Sequence, residues 1–210
     1  MIRRLFLALT LALVAPLAGA QTLADADLAG ALRSGGYVIV FRHGATNPDQ
    51  ADTDPLNADK PGNEARQRQL NDKGKALARE WGDSFRRLGI PVGTVATSKI
   101  YRARETAVLM NVGEVTTTWD LTEGNQIISP NENNKRAGAL RKLAATPPAA
   151  GKNNVVVTHK PNIIDAFGKE WFEVKEGEAS IFKPDGKGGY SVAARLQAEQ
   201  WAVLASKFPR

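Results

Sequence analysis

Cysteine is absent from the 210 residues. That excludes disulfide staples, a cysteine-linked lipid anchor, thiolate metal sites and a thiol nucleophile. Histidine is almost as scarce, since His43 and His159 are the only two. Neither stands in a spaced motif with carboxylates, so no metal site is expected and no cofactor is implied. Runs of lysine and arginine, and basic stretches interleaved with aromatics, are also missing, which argues against a nucleic-acid surface. The formal charge of +6 is a modest surplus that suits an anionic small molecule. Beyond the amino terminus, no apolar run approaches the roughly 20 residues a membrane span needs.

What is present begins with the first twenty residues. Arg3 and Arg4 precede an apolar stretch, Leu5 to Leu17, interrupted only by Thr10, and Ala18-Gly19-Ala20 provides a small-residue cleavage pattern. This order predicts a cleavable signal peptide over 1–20 and a mature domain over 21–210, periplasmic or secreted, without a stable membrane anchor. An exported domain without disulfides must rely on its core, and 190 residues suffice for one sizeable domain.

Short β-branched runs alternate with helical patterns. Strands are predicted at Tyr37–Phe41, Thr94–Thr97, Val115–Trp119 and Val155–Thr158. Helices are expected at Leu23–Arg33, after Asn71 through Leu88, at Arg102–Met110, Asn131–Ala145, near Asn162–Phe167 and at Gln197–Phe208. Glu178–Lys183 and Tyr190–Arg195 read as an antiparallel pair around Asp185-Gly186-Lys187-Gly188-Gly189. The polar stretch Ala45–Arg68, with Pro48, Pro55 and Pro61, reads as a long loop, the kind that is usually functional or mobile. Continuously apolar strands are expected in a parallel sheet buried on both sides. The fold class is therefore α/β: a single three-layer domain, with a mostly parallel central sheet and helices on both faces.

Both histidines close predicted strands, His43 within Arg42-His43-Gly44 and His159 after Val155-Val156-Val157-Thr158. Ligands of open α/β sheets bind beyond the carboxyl ends of the strands. If the two strands are parallel neighbours, both imidazoles and Arg42 face one crevice. The segment Ser98-Lys99-Ile100-Tyr101-Arg102 lies where another strand gives way to a helix, where free N–H groups favour anions. Imidazole and guanidinium groups around one point suit a phosphoryl group.

Four ordered stretches resemble the histidine phosphatase superfamily, which includes the cofactor-dependent phosphoglycerate mutases and many small phosphatases. They are Phe41-Arg42-His43-Gly44, Leu70-Asn71-x-x-Gly74, Ser98-x-x-x-Arg102-Ala103-x-x-Thr106-Ala107 and Val156-Val157-Thr158-His159. The resemblance implies that His43 becomes phosphorylated while Arg42, Arg102 and His159 bind the phosphoryl group. By the same resemblance Glu123, in Leu121-Thr122-Glu123-Gly124, is the general acid. The chain departs from the mutases in lacking their long tryptophan-bearing segments, and Lys160-Pro161-Asn162 follows His159 in place of a glycine-rich sequence.

The expected activity is that of an exported phosphomonoesterase, a metal-independent histidine acid phosphatase-like hydrolase. Its expected substrate is a small phosphorylated molecule such as an envelope sugar or lipopolysaccharide phosphate. The alternative is a phosphate- or phosphoglycan-binding protein of the same fold with little turnover. Arg66, Arg68, Lys99, Arg104 and Lys160 are candidates to line the approach. A rival metal site at Asp52-x-Asp54 fails because the pair sits inside the polar loop and not after a strand, and both aspartates are read as solvated. Asp52–Gly62 also fails as a calcium loop, since Leu56 and Asn57 occupy a ligand position and the required glycine.

Overall fold

The computed structural model describes residues 23–123 and 128–210. The predicted leader and Gly124 lie outside them. Among the described residues no helix is long and apolar enough to cross a membrane. In chain order the elements are α1 (Asp25–Ser34), β1 (Val38–Arg42), α2 (Asp72–Leu88), β2 (Val92–Ser98), α3 (Tyr101–Met110) and β3 (Val115–Thr118). There follow α4 (Pro130–Ala145), β4 (Asn153–Thr158), α5 (Lys160–Phe167), β5 (Ala179–Pro184), β6 (Tyr190–Leu196) and α6 (Gln200–Lys207).

The six strands form one sheet in the order β3-β2-β4-β1-β5-β6. The first four run parallel, and β5 and β6 add antiparallel to the edge at β1. The expected architecture is therefore the observed one. Alternate residues of the central strands face opposite layers. Ile39, Phe41, Val155 and Val157 pack against Trp81, Phe85 and Leu88 of α2, Trp201 of α6 and the inner sides of α1 and α3. Val38, Val40, Val156 and Phe182 face Leu140 of α4 and Ile163 of α5. Phe41 stacks between Trp81 and Trp201, with ring centroids 5.3 and 5.7 Å away. The residue immediately before Arg42-His43 is thus fixed by aromatic packing.

The stretch after β1 is an ordered structure of its own. Short 3₁₀ turns at Pro55–Asn57 and Asn63–Arg66 interrupt what the sequence presents as a plain loop. Buried Gln67 donates to Ala58 O and Asn63 Oδ1 at 2.9 and 2.8 Å, and it accepts from Tyr101 N at 2.6 Å. The loop is thereby fastened to the first turn of α3. Asn71 caps α2 by accepting from Gly74 N at 2.8 Å and donates to Thr46 O at 2.9 Å. A Cβ on Gly74 would stand 2.1 Å from Ala45 O. The Leu70-Asn71-x-x-Gly74 pattern is therefore a docking device: α2 approaches the turn after His43 so closely that only glycine fits.

Candidate active site

The pairing of β1 with β4 sets Phe41 opposite Val157 and Arg42 opposite Thr158. Both chains then leave the sheet side by side, and His43 N donates to Thr158 O at 3.0 Å. The two imidazoles end with their centroids 5.3 Å apart. Thr106 on α3 ties this corner down, because its hydroxyl accepts from Gly44 N at 3.0 Å and donates to Arg102 O at 2.7 Å. Arg102 follows as the second residue of α3, 1% exposed.

Each imidazole is oriented by one partner. His43 Nδ1 lies 2.9 Å from Gly44 O. A carbonyl only accepts, so Nδ1 carries the hydrogen and Nε2 presents a lone pair. His159 occupies the N-cap position of α5, yet its side chain makes no capping bond. Its Nε2 instead meets Ser98 Oγ at 2.8 Å. Thr122 Oγ1 donates to Thr118 O at 3.0 Å and accepts from Ser98 Oγ at 3.1 Å, so the Ser98 hydrogen is engaged and Ser98 Oγ accepts from His159 Nε2–H. In that assignment His159 Nδ1 carries a lone pair and lies 3.5 Å from Glu123 Oε1.

Burial is the main cause that lowers both imidazoles well below the ordinary histidine range, and the cations Arg102, Arg42 and Arg68 add to it. Both histidines are neutral at neutral pH. An unfolded chain takes up these protons near pH 6.5 and the folded chain does so only at lower pH, so stability is lost as pH falls through that interval. With only two histidines in the chain, their Cε1–H NMR signals are easily assigned with one variant. Neither signal should titrate between pH 8 and about 6, where an ordinary imidazole is partly charged. A normal titration curve for either ring would contradict the burial.

The guanidinium groups are engaged by carboxylates. Arg102 Nη1 holds both oxygens of Asp52 at 3.0 and 3.1 Å, and its Nη2 pairs with Glu123. Arg42 donates to Val174 O at 2.9 Å and to Glu176 at 3.4 Å. Thr46 donates to the same carboxylate through both its backbone N–H and its hydroxyl, at 3.2 and 2.7 Å. Buried nitrogen atoms without a hydrogen-bond partner nevertheless gather here: Nε of Arg42, Arg68 and Arg102, and Nδ1 of His159. A buried donor left unpaired costs about 1–3 kcal/mol. Three such guanidinium donors, on Arg42, Arg68 and Arg102, stand in one place.

All five residues expected from the sequence, Arg42, His43, Arg102, Glu123 and His159, come together. Arg42, His43 and Glu123 line a cavity of about 450 Å³ with Arg68 and Lys160. Arg102 and His159 are closed off beneath Glu123, which contacts both. The approach set divides. Arg68 and Lys160 reach the cavity, whereas Arg66, Lys99 and Arg104 pair with Asp54, Asp59 and Glu64 away from it. The solvated reading of Asp52 and Asp54 is corrected. Asp52 is committed to Arg102 and Asp54 to Arg66, so they serve two different cations and do not form a pair. Asp52, Glu176 and Ser98 are participants that sequence reasoning did not assign. Ser98 stood within a motif, while the two acids lie in loops with no local pattern to distinguish them.

Residues 38–126 match the model of the histidine phosphatase superfamily, branch 1. The chain is similar in structure to the protein histidine phosphatase SixA complexed with tungstate, at 16% identity and a TM-score of 0.57 over 78% of this chain and 98% of that one. It is also similar to phosphoserine phosphatase from Entamoeba histolytica in complex with 3-phosphoglyceric acid, at 16% identity and a TM-score of 0.53 over 79% and 98%. No curated protein matches by sequence.

Proposed function

Because residues 38–126 match the histidine phosphatase superfamily model, we propose that the chain is a phosphomonoesterase that works through a phosphohistidine at His43. The observation that carries this reading is the group of three unpartnered buried guanidinium donors, on Arg42, Arg68 and Arg102, around the His43 ring. Donors fixed before the reaction stabilise charge on the transferring phosphoryl group without reorganising.

In the proposed sequence His43 Nε2 attacks phosphorus, forming a P–N bond as the ester P–O bond breaks. The Glu123 carboxyl protonates the departing oxygen. The resulting carboxylate then takes a proton from water, whose oxygen attacks phosphorus while the P–N bond breaks, releasing phosphate and restoring His43. Arg42, Arg102 and His159 hold the phosphoryl oxygens throughout, and Glu123 must swing off Arg102 to admit them. The proposed substrate is a small phosphorylated molecule, an envelope sugar or lipopolysaccharide phosphate. The signal-like first twenty residues and the open cavity above His43 support that choice.

Glu123→Gln tests the acid. A general acid matters most for a poor leaving group, so hydrolysis of a sugar phosphate should slow by about 100-fold or more. Hydrolysis of p-nitrophenyl phosphate, whose leaving group departs without a proton, should change little. Equal losses on both substrates would make Glu123 a phosphoryl-positioning group. A wild-type protein that binds phosphate but turns over neither substrate would be a binding protein of this fold.

A further inference from the structure

The charges nearest the two imidazoles do not balance evenly. Arg102 is matched by Asp52 and Glu123, and Arg42 by Glu176. Both histidines are neutral. Arg68 differs: among the described residues no carboxylate lies within 4.0 Å of its guanidinium, and its Nε is buried without a partner. It lines the same cavity as Arg42 and His43. Its charge also acts on Arg42, His43, Arg102 and His159, so it lies within electrostatic reach of the whole group. Lys160 lines the cavity too but lies over the exposed Phe172 ring, 5.0 Å from its centroid.

The chain that presents Arg68 is braced on both sides. Gln67 is 1% exposed and bonds to Tyr101 N, beside Arg102. Gln69 N donates to Gln50 Oε1 at 2.8 Å, and the next residue, Leu70, bridges to Thr46. Arg68 N itself donates to Asp52 Oδ1 at 2.9 Å, on the carboxylate that holds Arg102. A half-buried cation on so firmly braced a backbone, without an anion of its own, is suited to an anion that arrives from outside.

We propose that Arg68, supplied by the loop between β1 and α2, is a third phosphoryl-binding guanidinium beside Arg42 and Arg102. It is the one that meets the incoming anion without first releasing a carboxylate. The phosphoryl group, drawn to Arg68, then takes the place of Glu123 on Arg102. The inference deepens the phosphatase reading and rests on it.

The test measures orthovanadate affinity, and kcat and KM on p-nitrophenyl phosphate, for Arg68→Ala, Arg68→Lys and, as a control, Arg66→Ala on the exposed face of the same loop. Arg68→Ala should weaken vanadate binding and lower kcat/KM by about 10- to 100-fold, the range for losing one charge-assisted donor set. Arg68→Lys, which keeps the charge but not the fork, should recover part of both and guards against a fold defect in the alanine variant. Arg66→Ala should stay within about twofold, as exposed ion pairs contribute little. Unchanged vanadate affinity in Arg68→Ala would overturn the proposal, including the case in which only substrates with a second anionic group suffer. A wild-type protein inactive on p-nitrophenyl phosphate would defeat the phosphatase reading, while the vanadate measurement would still decide whether Arg68 binds the oxyanion.

Discussion

His43→Ala should reduce turnover on any phosphomonoester by on the order of 10⁵-fold or more, the scale on which enzymes lose a covalent nucleophile. No second nucleophile is placed to substitute. Cysteine is absent from the chain, Ser98 is turned toward His159, and His159 Nε2 is occupied by Ser98. The fold should survive, because the ring sits at the end of β1, outside the Phe41–Trp81–Trp201 stack. Far-UV circular dichroism would verify this. Wild-type protein quenched during turnover should carry a phosphoryl group labile to acid and stable to base, as a phosphoramidate is, and the variant should carry none. Turnover within about tenfold of wild type in the folded variant would remove His43 from the chemistry.

Arg102→Ala should produce the second-largest loss, about 10³-fold in kcat/KM. Removing one preorganised donor costs about 10²–10³-fold, and Arg102 offers several from a fully buried position. The vacancy has a further cost. Asp52 and Glu123 both lean on this guanidinium, and without it two carboxylates face the same pocket that must admit a dianion. Arg102→Lys should recover only a small part, since an ammonium cannot serve Asp52, Glu123 and a phosphoryl oxygen along fixed directions. Steady-state kinetics with p-nitrophenyl phosphate, together with vanadate titration, would measure both effects. A loss below about threefold would mean that Arg102 is a structural ion-pair partner and no more.

Both predictions rest on residues legible in the sequence, and the reason is physical. A histidine ending a run of β-branched residues has few places to go in a parallel sheet. Val155-Val156-Val157 and Val38-Ile39-Val40 therefore announced β4 and β1, and with them the meeting of His159 and His43. Asn71 and Gly74 were legible for a similar reason, since capping and close approach each leave a short local signature. The acids behaved differently. Asp52 looks like any polar-loop aspartate, and its role exists only because Gln67 fastens that loop to Tyr101, next to Arg102. Glu176 reaches Arg42 from a turn far along the chain, and no spacing records that contact. Arg68 stood among five candidate cations. Only the carboxylates beside Arg66, Lys99 and Arg104 separate it from them.

The strand order has one more consequence, and it concerns time. β1 lies at the centre of the sheet, yet its parallel neighbour β4 is synthesised much later: Tyr37 N and Asn153 Oδ1, which meet at the start of this pairing, are 116 positions apart. Closing so long a loop is slow, and non-local parallel pairing is among the slowest steps in folding. Until β4 arrives, Val38-Ile39-Val40-Phe41 has neither of its partners, because β5 comes later still. A polypeptide that ends before Asn153 carries Arg42, His43 and Arg102, but no sheet brings them together. In this topology the proposed oxyanion site cannot form piece by piece. It comes into being when the centre of the sheet closes, so a chain able to bind phosphate is a chain that has finished folding.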